Sequence, residues 1–149
     1  ELVAAIGKGG SDIPVEKALE HVWGYAVGLD MTRRDLQMKM REMGRPWELG
    51  KAFDQSAPIA PLYPAARAGD VHQAKIWLKV NGAVKQSSSI PHLIWSVAET
   101  VAYLSKYFRL EPGDLIYTGT PEGVGPVVAG DLMEGGVDGL GTLNVRVTK

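Results

Sequence analysis

The chain has 149 residues, 45% hydrophobic and 22% charged, a size and balance that suit one domain with a real core. Its net charge of -1 offers no basic surface for nucleic acid, no apolar run approaches the roughly 18 residues of a membrane span, and the absence of cysteine excludes disulfides, thiolate catalysis and Cys-ligated zinc. Eighteen glycines favour a turn-rich, largely β architecture, and the first ten residues lack the basic flank and apolar run of a signal peptide, so a cytoplasmic location is expected.

The chain begins at Glu1 without an initiator Met, directly on an apolar run to Ile6 that reads as a strand, the start expected of a segment of something longer. A glycine-rich loop follows from Gly7 to Ser11. Pro14 suits the first turn of a helix, with Val15, Ala18, Leu19 and Val22 at helical spacing. Trp23 to Leu29 is a second apolar run, a predicted strand that ends at Asp30. Thr32 with Asp35 resembles a capping box for a helix carrying Leu36, Met40 and Met43, stopped by Gly44 and Pro46. The stretch from Trp47 to Pro64 reads as loop, punctuated by Pro58, Pro61 and Pro64.

Lys75 to Val80 alternates, with Ile76, Leu78 and Val80 on one face and Lys75, Trp77 and Lys79 on the other. Asn81-Gly82 is the favoured dipeptide of a type I′ turn, so Ala83 to Gln86 returns as the partner strand. Pro91 opens a helix whose apolar stripe is Ile94, Val97, Val101, Leu104 and Phe108. A Glu111–Asp114 turn leads into a short strand, Leu115 to Thr118, and further glycine-rich turns and strands end on Thr142 to Val147. One mixed α/β domain, rich in strands and turns, fits this order.

Neither Gly7-Lys8-Gly9-Gly10 nor the Thr118–Gly125 loop has the spacing of a phosphate-binding motif, and His21, His72 and His92 are scattered in positions that suit surface or structural roles. Asp30 stands out. A carboxylate closing an otherwise apolar strand is either a turn cap or a group in need of a partner or a metal. Arg34 and Gln37 share its helix face, as an anion site or, for Arg34, as the partner of Asp30. Lys51 lies between Gly50 and Ala52-Phe53, either desolvated beside a substrate or facing solvent from a loop.

Five segments in order, Gly24–Asp30, Arg34–Gln37, Gly50–Asp54, Leu110–Asp114 and Thr118–Gly125, resemble the fumarylacetoacetate hydrolase family, above all its acylpyruvase and fumarylpyruvate hydrolase members, which share the hairpin sequence Leu78-Lys79-Val80-Asn81-Gly82. The resemblance spans essentially the whole chain. It implies a mixed β-sandwich or roll with few helices, residues 1–149 forming one catalytic domain of that type without its N-terminal lid. It implies Mg²⁺ (or Mn²⁺ or Ca²⁺) held by Glu1, Asp30 and a further glutamate two residues before Glu1. Lys51 matches a lysine that stabilises developing negative charge, and Arg34, Gln37 and Thr120 match positions at the substrate's carboxylate and keto oxygens. The activity implied is hydrolysis of a carbon–carbon bond in an acylpyruvate, with fumarylpyruvate favoured by Arg33 beside Arg34, releasing pyruvate by way of an enolate. The alternatives are a lyase on a 2-keto acid, such as an oxaloacetate decarboxylase or a homoprotocatechuate-pathway decarboxylase/isomerase, and an inactive family remnant. The family's histidine base has no counterpart here. A homodimer is implied, with Trp77 on an exposed face suiting an interface.

Overall fold

In a computed structural model that describes residues 1–148, the first strand, β1 (Leu2–Ile6), is buried at all five positions. Both of its faces are therefore covered, which explains why it reads as an unbroken apolar run rather than an alternating one. It is central to a four-stranded sheet. β2 (Val22–Val27) pairs along one edge and is flanked by β3 (Tyr63–Pro64), while β6 (Leu115–Tyr117) pairs along the other. The second sheet runs β5 (Ala83–Ser89), β4 (Lys75–Val80), β7 (Leu132–Val137) and β8 (Thr142–Arg146). Every strand pairing in both sheets is antiparallel.

The Asn81-Gly82 hairpin forms as expected: both residues take positive φ, +51° and +78°, as a type I′ turn requires. Its returning strand runs on to Ser89, beyond the expected Gln86. The two sheets meet where Gly135 of β7 faces Val27 and Leu78. Trp77 differs from expectation. It is half-buried, its indole lies across the backbone of Gly136, and the Lys79 ammonium stands 5.2 Å over the ring. A Cβ on residue 136 would sit 2.5 Å from the indole, so one side of the ring is packed within the sheet.

The helical segments are shorter than the sequence pattern suggests. Val15–His21 is a 3-10 helix that buries Ala18 and leaves Val15 and Leu19 exposed, and Val22 already belongs to β2. The three eclipsed rows of a 3-10 helix do not carry a 3.6-residue stripe. The first α-helix, α1, covers Arg34–Glu42 with Arg33 at its N-cap, and no side chain caps it; Thr32 is engaged elsewhere. A one-turn helix, α2 (Glu48–Lys51), interrupts the segment expected to be loop. The helix α3 runs Val97–Leu104, not from Pro91, because Ser96 caps it in a full capping box with Glu99. Ile94 is consequently 96% exposed and Phe108 63%, and the buried stripe is reduced to Val97 and Val101 with Leu104 at its margin.

Candidate active site

Strand register builds the site. Leu2 pairs with Val27, and the Gly28 N–H donates to the Glu1 carbonyl at 2.9 Å, so Glu1 stands across from Gly28. Alternation along the strand puts Glu1 and Val3 on one face, and Asp30, two residues past Gly28, projects from that same side. Gly28 is needed there for space: a Cβ would lie 2.6 Å from both Val3 and the Tyr117 ring.

Lys51 arrives from α2. The Arg33 N–H donates to the Gly50 carbonyl at 2.9 Å, and a Cβ on Gly50 would be 2.9 Å from the Gln37 nitrogen, so only glycine lets α2 seat on the start of α1. Seated this way, the Lys51 ammonium donates to Asp30 Oδ2 at 2.5 Å and to Thr32 Oγ1 at 2.9 Å. Lys51 is therefore half-buried and paired, and the partner of Asp30 is Lys51 rather than Arg34. Arg34 instead donates to Gln37 Oε1 at 2.6 Å, the two forming a polar pair on the first turn of α1. The neighbouring Arg33 guanidinium stacks 4.3 Å over the Phe53 ring.

The loop after β6 closes the other side. Thr118 donates to the Leu2 carbonyl through both its N–H (3.1 Å) and its hydroxyl (2.9 Å). Gly119, at φ +119°, then aims its N–H at the Glu1 carboxylate, 3.1 Å away. Thr120 follows, its hydroxyl accepting from the Gln86 amide at 3.0 Å. Gly123, at φ +93°, runs against β5, where a Cβ would fall 2.0 Å from the Lys85 carbonyl. Beside this loop lies a cavity of about 350 Å³, with Thr118–Pro121 on one wall and Ser88, Ser89, His92 and Trp95 on another.

Glu1, Asp30 and Lys51 share one electrostatic environment. Burial pushes the Glu1 carboxyl above its ordinary value and the Asp30 carboxylate adds to that push, while the Gly119 N–H and the Lys51 ammonium oppose it. Tyr117, which went unnoticed in the sequence, belongs here too: burial raises its hydroxyl, the charges of Glu1 and Asp30 raise it further, and it donates to the Ala57 carbonyl at 2.9 Å. Only the register, which pairs Tyr117 with Val3, brings it to the site. Gln86 was missed for another reason, since nothing in the polar strand around it marks it as buried.

Among the described residues no cluster of three or more His, Cys, Asp or Glu is assembled for a metal. The Glu1 and Asp30 oxygens are hard donors of the kind a divalent cation takes, and two such carboxylates fit part of its shell. The histidines are placed as expected. The His21 ring lies 2.7 Å from the Lys8 carbonyl, His72 meets the Tyr25 hydroxyl at 3.2 Å, and His92 stands beside Ser88 at 3.3 Å. No helix among the described residues is long and apolar enough to cross a membrane.

Residues 1–148 match the family profile described as fumarylacetoacetate (FAA) hydrolase, C-terminal. A fumarylpyruvate hydrolase of a Ralstonia species is 51% identical over 147 residues, covering 99% of this chain and 76% of the relative. The mitochondrial oxaloacetate tautomerase of Homo sapiens is 42% identical over 149 residues, covering 100% of this chain and 67% of the relative. Among solved structures, the fumarylpyruvate hydrolase from Pseudomonas aeruginosa in complex with Mn²⁺ and pyruvate superimposes with a TM-score of 0.97 at 70% identity. The match covers 99% of this chain, which spans 64% of the length of that structure.

Proposed function

Because the chain belongs to the fumarylacetoacetate hydrolase family, we propose that it forms the catalytic core of a divalent-metal-dependent fumarylpyruvate hydrolase. The observation that carries this reading is the convergence of Glu1, Asp30 and Lys51 beside the Gly119–Thr120 loop. The 51% and 70% identities to fumarylpyruvate hydrolases support the substrate. Glu1 and Asp30 are the metal ligands of this proposal. The family resemblance implies one further carboxylate ligand, a glutamate two positions upstream of Glu1. Mg²⁺ is the cation proposed for the cell, Mn²⁺ serving in the same oxygen shell.

A cation held by Glu1 and Asp30 would supply Lewis acidity to the 1-carboxylate and 2-keto oxygens of the substrate. Arg34, Gln37 and Thr120 hold those oxygens, the first two as a ready-made pair on α1. Water adds to the distal keto carbon, the bond to the adjacent methylene breaks, and its electron pair passes into the pyruvate half as an enolate. The Lys51 ammonium offers positive charge to that developing anion, and its bonds to Asp30 and Thr32 hold it in place before substrate arrives. Protonation at carbon then yields pyruvate, with fumarate the other product. Arg33, held on Phe53, meets the distal carboxylate that distinguishes fumarylpyruvate from a simpler acylpyruvate. None of His21, His72 and His92 is assigned as the general base.

Release of pyruvate from fumarylpyruvate by the full-length protein tests the reading, and Asp30→Ala is expected to abolish it with the fold retained. Unchanged turnover in that variant removes Asp30 from the metal site. The likeness to an oxaloacetate tautomerase motivates a second substrate on the same preparation: faster turnover of oxaloacetate than of fumarylpyruvate would reassign the chain to 2-keto acid isomer or lyase chemistry. A cytoplasmic homodimer completes the proposal. Exposed Ile94, Trp95 and Tyr107 add to half-buried Trp77 as apolar surface that supports self-association.

A further inference from the structure

We propose that Gln86 is a positioning residue that fixes the hydroxyl of Thr120 as a hydrogen-bond donor toward the ligand, an inference that rests on Thr120 being a ligand contact. Gln86 is only 8% exposed, on a strand whose neighbouring Lys85 and Ser87 face solvent. Its amide nitrogen lies 2.6 Å from the Pro121 carbonyl and 3.0 Å from Thr120 Oγ1. A carbonyl oxygen only accepts, so the amide edge that faces Pro121 must be the NH₂, and the orientation of the side chain is set by chemistry. An amide nitrogen in turn only donates. Thr120 Oγ1 therefore accepts from Gln86, and its own hydrogen has no use on that side.

The consequence reaches the ligand. A threonine hydroxyl is ordinarily free to rotate and to serve as donor or acceptor, so it matches an anion and a cationic donor equally well. With one lone pair held by Gln86, the Thr120 O–H is turned away from Gln86 and donates outward, which favours a carboxylate or keto oxygen as its partner. The loop carrying it is fixed on both flanks, by the Gly119 bond to Glu1 and by the close approach of Gly123 to the Lys85 carbonyl. Orientation is thus set on folding rather than at the moment of binding, the condition under which a dipole is most effective.

The test uses the full-length protein loaded with Mn²⁺ and titrated with pyruvate by calorimetry, with Mn²⁺ affinity and the thermal midpoint recorded alongside. Thr120→Val is expected to weaken pyruvate binding about five- to tenfold, the worth of one hydrogen bond. Gln86→Met, which keeps the volume but frees the hydroxyl, is expected to lose less than that. Gln86→Glu, which offers only acceptors and draws the Thr120 hydrogen inward, is expected to lose at least as much. Gln86→Met combined with Thr120→Val should be no weaker than Thr120→Val alone, since both act on one bond. Mn²⁺ affinity should stay at the wild-type value throughout, whereas collapse of the loop would release Glu1 from Gly119 and shift it. Wild-type pyruvate affinity in both Gln86 variants, with Thr120→Val impaired, overturns the role of Gln86, as do losses that add. Wild-type affinity in Thr120→Val overturns the ligand role of Thr120 itself. Should Gln86→Glu fail to fold, the Met variant and the double variant decide the matter.

Discussion

Lys51 and Asp30 come from segments 21 residues apart in sequence, yet their ammonium and carboxylate meet at 2.5 Å. The contact depends on Gly50, which lets one helical turn press against the start of α1, and so the short sequence Gly50-Lys51 works as a unit. Removing the charge with Lys51→Met is expected to reduce kcat for fumarylpyruvate by about 100- to 1,000-fold, the usual loss when one group that stabilises a developing anion is removed, with KM changing far less. Lys51→Arg should not restore the rate, because a planar guanidinium does not place a point charge where an ammonium does. Steady-state kinetics on the three proteins decide it: an unaltered kcat in the Met variant would remove Lys51 from the reaction. Asp30 and Lys51 were both legible in the sequence, each as a charge where apolar neighbours made it conspicuous. Tyr117 and Gln86 were not, because their roles follow from pairing and burial that no local pattern encodes: Tyr117 is brought in by Val3, and Gln86 sits among Lys85, Ser87 and Ser88 with no apolar contrast.

Secondary structure was legible where local chemistry dictates it and misleading where only spacing did. Asn81-Gly82 required a turn and formed one. The long stripe assigned from Ile94 to Phe108 passed over Ser96, whose hydroxyl accepts from the Glu99 N–H at 3.2 Å while the Glu99 carboxylate accepts from the Ser96 N–H at 2.8 Å. That reciprocal cap sets the start of α3, and residues before it are outside the helix whatever their spacing. Ser96→Ala is therefore expected to lower stability by about 1 kcal/mol, read as a reduced midpoint in urea. The cap also has a pH signature. Its hydrogen bonds from Ser96 hold the Glu99 carboxyl below the ordinary value, so its contribution is present above the unfolded pKa and is lost as pH falls through the lower, folded one. The difference in midpoint between wild type and Ser96→Ala should accordingly be largest near neutral pH and shrink in acid. A difference independent of pH would mean that the Glu99 half of the box contributes nothing.

For the whole molecule, the placement of two carboxylates where the central strands β1 and β2 of the first sheet come to their ends has a consequence for stability. Asp30 pushes the Glu1 carboxyl upward, on top of the larger push from burial, and Lys51 opposes it. The fold tolerates this because the core is elsewhere, along β1 and between the sheets, where Leu2, Val27 and Met133 are buried. A cation that binds the folded site and not the unfolded chain must stabilise the protein by mass action, by about 2.7 kcal/mol when free cation is 100 times its dissociation constant. Full-length protein freed of metal with a chelator should therefore melt lower than the same protein in saturating Mn²⁺. Asp30→Asn removes one anionic ligand and part of the repulsion together. Its metal-free thermal midpoint should stay close to that of the wild type, because relief of the repulsion is offset by loss of the ion pair to Lys51, while its response to Mn²⁺ should be nearly lost. The two readings separate the explanations cleanly. A variant that is simply damaged would melt low with and without Mn²⁺, and one that kept the full Mn²⁺ shift would show that the cation binds somewhere other than between Glu1 and Asp30.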